Sequence, residues 1–331
     1  MSSMRAVLVR KPGEATELEL GEAPRPQIAA DEVLVKVVSF GLNRMDIVQR
    51  KGFYPPPKGA SDILGVEFSG HIEQIGGDVR SVKVGDKVMG LVGGGAYSEY
   101  VAVNQAMVMP IPHSFSFVQA AAIPETWFTA YQAIHFVTEF KAGETILIHG
   151  GASGVGTAAI QLAKLAKADK IIVTAGSDDK TDFCKSLGAT HGINYKTEDF
   201  QAKVLEYTGG KGANVIIDMV GAQYWDKNLG ALALDGRMVM LAFLGGSVIK
   251  ESNLAVILKH RLRIQGSTLR SRSLEYQIEL RNAIVANVIP KLESGDLKPI
   301  VDREYSWKDI VAAHQYMESN QSIGKIIVNI D

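Results

Sequence analysis

Apolar and polar positions follow two different rhythms along this chain, and the change falls near residue 125. Before it, short β-like runs alternate with glycine and proline punctuation: Met4–Val9, Glu32–Val38, Leu64–Ile75, Asp86–Leu91 and Ala96–Val103. Short strands separated by turn signals predict a small antiparallel barrel or sandwich. The run Pro55-Pro56-Pro57 reads as a stiff connector without backbone donors. After residue 125, apolar runs alternate with helical spacing. Strands are predicted at Thr145–His149, Lys170–Ala175, Gly192–Asn194, Val215–Met219, Met238–Phe243 and Arg263–Ser267. Helices are predicted at Thr126–Val137, Val155–Ala168, Asp179–Leu187 and Tyr224–Leu234. Continuous apolar strands each followed by a helix indicate a parallel sheet covered on both faces, in an α/β fold of the doubly wound type. A long helix, Leu274–Leu292, and a terminal strand, Ile326–Ile330, do not extend that series and are expected to return to the first domain. The division is 1–125 completed by 269–331, and 126–268.

Composition narrows the function classes. Lys+Arg number 35 and Asp+Glu 36, a net charge of −1, so no basic excess points to nucleic acid or an anionic membrane as main partner. One cysteine, Cys184, rules out an internal disulfide and a four-cysteine zinc lobe. No run has the length of a membrane span and the N-terminus lacks the pattern of a leader, so the expectation is cytoplasmic. Glycine, at 33 residues, is richer than the usual level of about 7% and points to tight turns and close backbone approaches.

The strongest chemical signal is Thr145-Ile-Leu-Ile-His149-Gly150-Gly151-Ala152-Ser153-Gly154-Val155-Gly156-Thr157. A buried strand runs into a glycine loop that opens a helix. Such a loop brings backbone amides and the positive helix end to a pyrophosphate. With βα units downstream, Gly151, Ser153, Gly154, Val155 and Gly156 become candidate cofactor residues. Ser153 stands where G-x-G-x-x-G has its middle glycine and offers a hydroxyl near the cofactor. The second strand ends in Ala175-Gly176-Ser177, with Lys180 following. A small uncharged strand end beside a lysine and a hydroxyl suits a 2′-phosphate, hence NADPH. Asp178 and Asp179 read as acids capping the next helix.

Read together, these residues resemble the quinone oxidoreductases of the zinc-free branch of the medium-chain dehydrogenase/reductase superfamily. The resemblance covers nearly the whole chain. It is carried by Leu42-Asn43-Arg44-Met45-Asp46, Gln49-Arg50-Lys51-Gly52, Leu64-Gly65-Val66-Glu67-Phe68-Ser69-Gly70, Val84-Gly85-Asp86-Lys87-Val88, Ala120-Ala-Ala-Ile-Pro124 and the phosphate loop. Tyr195-Lys196-Thr197-Glu198-Asp199-Phe200, Ala233-Leu-Asp-Gly236-Arg237 and the C-terminal Ile323-Gly324-Lys325 are similar to the stress-induced NADPH quinone reductase branch. The resemblance implies a GroES-like β-rich catalytic domain beside a Rossmann domain. It also implies a homodimer paired through Arg263–Ser267, and hydride transfer to a quinone held between the domains. No metal is implied, because Asn43 and Val66 stand where zinc relatives carry cysteine and histidine. By the same resemblance Tyr54 lines the quinone pocket as candidate donor, Ser153 lies beside the cofactor, and Asn43 lies near the nicotinamide. Gly176, Ser177, Lys180 and Tyr195 map to the adenine end; Thr129, Phe243, Leu244, Thr268, Leu269 and Arg270, with Asn320 nearby, map to the nicotinamide end.

Two other readings stay open. One is reduction of the C=C bond of an α,β-unsaturated carbonyl, with Tyr54 as proton donor. The other is a non-catalytic NADPH-binding structural or RNA-binding protein, for which only the cluster Lys259-His260-Arg261-Leu262-Arg263 speaks. The seven histidines show no metal spacing, Glu67 reads as structural, and Cys184 reads as a buried thiol rather than a nucleophile.

Overall fold

The computed structural model describes residues 2–331. Its strands are β1 (Ser3–Val9), β2 (Leu18–Pro24), β3 (Glu32–Gly41), β4 (Glu67–Ile75), β5 (Lys87–Leu91), β6 (Tyr100–Asn104), β7 (Val108–Pro110), β8 (Thr145–Ile148), β9 (Lys170–Ala175), β10 (His191–Asn194), β11 (Ala213–Asp218), β12 (Leu232–Met240), β13 (Arg263–Gly266), β14 (Val301–Ser306) and β15 (Lys325–Asn329). The chain divides into two compact units: Met1–Phe128 with Leu269–Asp331, and Thr129–Thr268. No helix among the described residues is long and apolar enough to cross a membrane.

In the second unit six parallel strands lie in the order β10-β9-β8-β11-β12-β13. Counted along the chain this is 3-2-1-4-5-6, the doubly wound order whose reversal point lies between β8 and β11. All four residues of β8 are buried, as are five of six in β9 and β11, so apolar side chains fill both faces of the central strands. Leu147, Ile172, Ile193 and Ile216 share one core with Phe200, Val204 and Leu229 from the covering helices.

The first unit holds a seven-stranded sheet, ordered β14-β15-β3-β4-β5-β7 with β6 also on β3, and the antiparallel pair β1-β2. The C-terminal segment enters this sheet directly, since β15 runs antiparallel to β3 with Ile327 opposite Gly41.

Four predicted helices are bounded differently, each for a local reason; the one expected at Val155–Ala168 runs Gly154–Leu165, and the chain turns away through Lys167 at φ 60°. Leu274–Leu292 is two helices, Leu274–Asn287 and Ile289–Glu293, joined at Val288. Pro290 has no N–H to continue the first ladder and sits in the opening turn of the second. The helix predicted to Leu234 stops at Ala231 because Leu232 is extended and already pairs with Ala213 as the first residue of β12. The 126–137 helix starts at Pro124 and widens into a π-helical segment at Gln132–Val137, where the Thr138 hydroxyl bonds the carbonyl of Ala133.

Candidate cofactor and substrate sites

At the carboxyl end of β8 the chain enters Gly150 with φ +63°, where a Cβ would stand 2.9 Å from Met219 Sδ. A Cβ on Gly156 would come within 2.3 Å of the Gly150 carbonyl oxygen, so only glycine lets the helix Gly154–Leu165 start this close to the strand. Gly151 has the same constraint against Val173 on β9 at 2.8 Å, with the Cys184 sulfur 3.1 Å away. The amide of Gly151 bonds Thr174 O, and that of Gly156 bonds Ser153 Oγ at 3.0 Å. The amides of Ala152, Gly154 and Val155 donate to no protein acceptor among the described residues. Three unused amides at a helix N-terminus suit an anionic phosphate. Loop 219–221 and loop 243–246 close the same end of the sheet: Leu244 N bonds Met219 O at 3.1 Å, and Gly245 N bonds Val220 O at 2.7 Å. Phe243 and Leu244 thus lie beside the phosphate loop, both more than half exposed.

Ser153 is the helix N-cap. Its Oγ accepts the Gly156 amide and its hydroxyl points to Met219 Sδ at 3.8 Å, which explains why serine can replace glycine here. His149 is buried, with Nδ1 on Thr174 Oγ1 at 3.0 Å and Nε2 on Asn228 Oδ1 at 2.7 Å. Burial pulls its pKa down to about 4, leaving a neutral packing residue. Cys184 is fully buried and its thiol is pushed up to about 12 by burial, which makes it inert.

At the end of β9, the cap of the helix Asp178–Leu187 is Ser177, whose Oγ accepts the Lys180 amide at 3.4 Å. The two aspartates sit in its first turn rather than at the cap, and Asp178 Oδ1 is taken by Asn194 Nδ2 at 2.9 Å. A Cβ at Gly176 would lie 2.8 Å from Tyr195 Oη and 3.6 Å from Lys196 Cε. Gly176, Ser177, Lys180 and Tyr195 are therefore brought together, and Lys196 joins them. In the sequence Lys196 carries no signal beyond its adjacency to Tyr195.

In the first unit, Asn43, Asp46, Glu67 and Lys325 form a buried polar cluster. Lys325 Nζ donates to Leu42 O at 2.6 Å, Asn43 Oδ1 at 2.8 Å and Glu67 Oε1 at 2.6 Å. Asn43 Nδ2 donates to Glu67 Oε1 at 2.8 Å, and Glu67 Oε2 accepts the Glu125 amide at 2.8 Å. The carboxamide of Asn43 is thus held at both its oxygen and its nitrogen. Asp46 Oδ2 accepts Asn43 N at 2.8 Å and the Tyr97 hydroxyl at 2.9 Å, while Asp46 Oδ1 is buried without a partner. Desolvation raises the Asp46 carboxyl to about 6 against the lowering pull of those bonds and of Lys325. Lys325 has no role assigned from the sequence, although a lysine opening an otherwise apolar strand is a visible signal.

Tyr54 is half-buried, and the Arg270 guanidinium lies 5.6 Å from its ring centroid. Burial raises the phenol's pKa, Arg270 lowers it and Glu125 raises it. Leu269 is buried with its carbonyl bonded by Gln277 Nε2. Asn320, at φ 58°, accepts a bond from Arg44 Nη2. Thr129 and Thr268 are the first and last residues of the second unit, and Gln132 Nε2 bonds the Thr268 carbonyl at 3.2 Å. The expected residues thus form three groups, the phosphate loop with 243–244, the β9 end, and the Asn43–Tyr54–Arg270 region of the first unit.

Comparison with known proteins gives these groups a context. Residues 29–113 match the family described as alcohol dehydrogenase GroES-like domain, and residues 154–284 match that of zinc-binding dehydrogenase. The chain is 31% identical to the quinone oxidoreductase of Pongo abelii, covering 98% of this chain and 97% of that one. It is also 29% identical, over 97% of its own length, to a phenolphthiocerol/phthiocerol polyketide synthase protein of Mycobacterium tuberculosis, of which it spans only 14%. Among solved structures, the Escherichia coli quinone oxidoreductase complexed with NADPH is similar at a TM-score of 0.86 and 30% identity, covering 99% of this chain and 100% of that one. The CurK enoyl reductase is similar at 0.87 and 27%, covering 99% of each chain.

Proposed function

The chain belongs to the medium-chain dehydrogenase/reductase superfamily and is an oxidoreductase of it, beside quinone oxidoreductase homologues, and we propose that its reaction is the NADPH-dependent reduction of a quinone. The observation that carries this reading is the phosphate loop, with its three unused amides, at the reversal point of a sheet like that of an NADPH-complexed quinone oxidoreductase. The loop Gly151–Gly156 holds the pyrophosphate. Ser177, Lys180 and Tyr195 hold the adenosine end, and Lys180 favours a 2′-phosphate. When bound, the reduced nicotinamide supplies a hydride. The protein orients the acceptor, and the Tyr54 phenol, half-buried beside the Arg270 guanidinium, offers a proton donor. Asn43, Glu67 and Lys325 keep the floor of the first unit rigid.

Structural likeness to an enoyl reductase supports a second reading, hydride addition to the β-carbon of an enone with Tyr54 protonating the α-carbon. A panel of ortho-quinones, para-quinones and 2-enals, each with NADPH and NADH, separates the two by kcat/KM. Highest kcat/KM on a quinone supports the first reading, and turnover of 2-enals alone overturns it. Lys180→Ala is expected to raise KM for NADPH at least about ten-fold while leaving NADH nearly unchanged. Equal effects on both cofactors would remove the 2′-phosphate assignment.

A further inference from the structure

Arg270 is 6% exposed, yet one face of its guanidinium is uncommitted. Nε donates to Gly93 O at 2.6 Å and Nη1 to Gln49 Oε1 at 2.8 Å. Gln49 is itself held through Nε2 on Asp62 O at 3.2 Å. Two of the three nitrogens are therefore tied to anchored partners, and the plane of the group is set. Nη2 is buried and meets no acceptor. An unsatisfied buried donor is costly, and more so when charged, so it needs a reason to persist. Around it lie the Tyr54 ring, 5.6 Å from the guanidinium carbon, and Gly94, where a Cβ would stand 3.3 Å from Nη2. The carboxylates of Asp46 and Glu125 act on the cation, and Asp46 Oδ1 is likewise without a partner. All of these residues belong to the first unit.

We propose that Nη2 of Arg270 is the donor that receives the acceptor's carbonyl oxygen as it becomes an oxyanion, with Tyr54 flanking the same oxygen site. This rests on the reductase reading above and deepens it by naming the group that substitutes for a Lewis acid at the carbonyl. The conjugated acceptor gains a proton and two electrons as hydride at carbon. The hydride would come from the bound reduced nicotinamide, whose C–H bond breaks. A new C–H bond forms at the acceptor's conjugated carbon, its C=C π pair shifts onto the carbonyl oxygen, and that oxygen or the adjacent carbon takes one proton from Tyr54 or water, a quinone adduct then tautomerising to the hydroquinone. A guanidinium N–H already aimed and desolvated stabilises this charge without reorganising. The substrate class that follows is an uncharged conjugated carbonyl.

The test uses 4-nitrophenol, whose phenolate has a distinct visible band, titrated into the full chain without cofactor. Wild type is expected to bind the phenolate and lower the apparent pKa of the bound phenol. Arg270→Met should bind it at least about ten-fold more weakly and lose the spectral shift, and Tyr54→Phe should weaken it less. Arg270→Met also gives up the Gly93 and Gln49 bonds, so Arg270→Lys is read beside it, with far-UV dichroism as the folding control. A folded variant of either kind that binds phenolate as wild type does overturns the proposal. With NADPH and a quinone, both variants should lose kcat. Arg270-dependent phenolate binding in a protein that turns over no quinone or enal would sink the reductase reading and leave this site standing.

Discussion

Lys325 and Glu67 are the residues whose removal the molecule should feel most. Both are buried, 4% and 0% exposed at the side chain, with nitrogen and oxygen 2.6 Å apart. Removing one partner strands a charge, which costs on the order of 3–5 kcal/mol, whereas replacing both by neutral groups of similar size is often close to neutral. Lys325→Met is therefore expected to lower the denaturant midpoint strongly, and the double variant Lys325→Met, Glu67→Gln to recover most of the loss. A double-mutant cycle in urea checks this; additive losses would show that the pair does not act as a unit. Asp46 makes a prediction of opposite character. Its folded pKa of about 6 lies above the ordinary 3.8, so the folded state holds the proton more tightly than the unfolded state. Its contribution is full below about pH 4 and is lost as pH rises through about 6. Asp46→Asn should thus gain stability relative to wild type across that window, by on the order of 2–3 kcal/mol, and hold a constant difference above it. The buried histidines His149 and His314, pulled down to about 4 and about 3, slope the other way, so the difference between the two proteins, not the wild-type curve, is the readout. None of these burials was legible in the sequence. Glu67 reads as structural in the sequence, but its partner Lys325 lies 258 residues away and reaches it only because β15 pairs with β3.

At the scale of elements, local chemistry predicted most of what formed, and long-range pairing supplied the rest. The strand at Lys170–Ala175 has the bounds its apolar run implies, because a buried parallel strand carries its signal on every residue. The run Leu64–Ile75 starts as a strand only at Glu67, since Gly65 turns the chain at φ +93° against Tyr97. β2 went unread because Leu18–Pro24 has three glycine, alanine or proline residues and weak alternation, and it is strand only through pairing with β1. The phosphate loop was the most legible element of all, and it makes a graded prediction. Gly156→Ala places a methyl about 2.3 Å from a carbonyl oxygen and must displace the helix start, so NADPH affinity should fall at least about ten-fold even in folded protein. Ser153→Ala removes one N-cap bond and should cost only about 1 kcal/mol of stability, with kcat/KM lowered less than five-fold. Thermal melts and cofactor titration by nicotinamide fluorescence measure both. A collapse of kcat with unchanged melting in Ser153→Ala would instead assign its hydroxyl to the chemistry.

The whole molecule is legible as two rhythms of hydrophobicity because two kinds of sheet impose them, alternating strands in the first unit and continuous apolar strands in the second. What the pattern hides is what happens at the sheet's last edge. β13 pairs with β12 on one side only, and three of its four residues, Arg263, Gln265 and Gly266, are exposed, with Ile264 only partly covered. An open edge of this kind is normally blunted by charge, proline or a covering element. Arg263 offers one charge, loosely paired with Glu139 at 3.5 Å, and no proline interrupts the run. Leu258, 81% exposed at the end of the preceding helix, adds apolar surface beside it. We therefore propose a homodimer in which β13 meets its copy antiparallel across a two-fold axis, the isologous arrangement that satisfies both edges at once. Light scattering at micromolar concentration should give twice the chain mass of 35.7 kDa. Gly266→Pro, which removes an amide that faces away from β12, together with Leu258→Glu, should shift the protein toward monomer while leaving NADPH binding within about two-fold. A wild-type monomer, or a dimer indifferent to both substitutions, would place the association surface elsewhere.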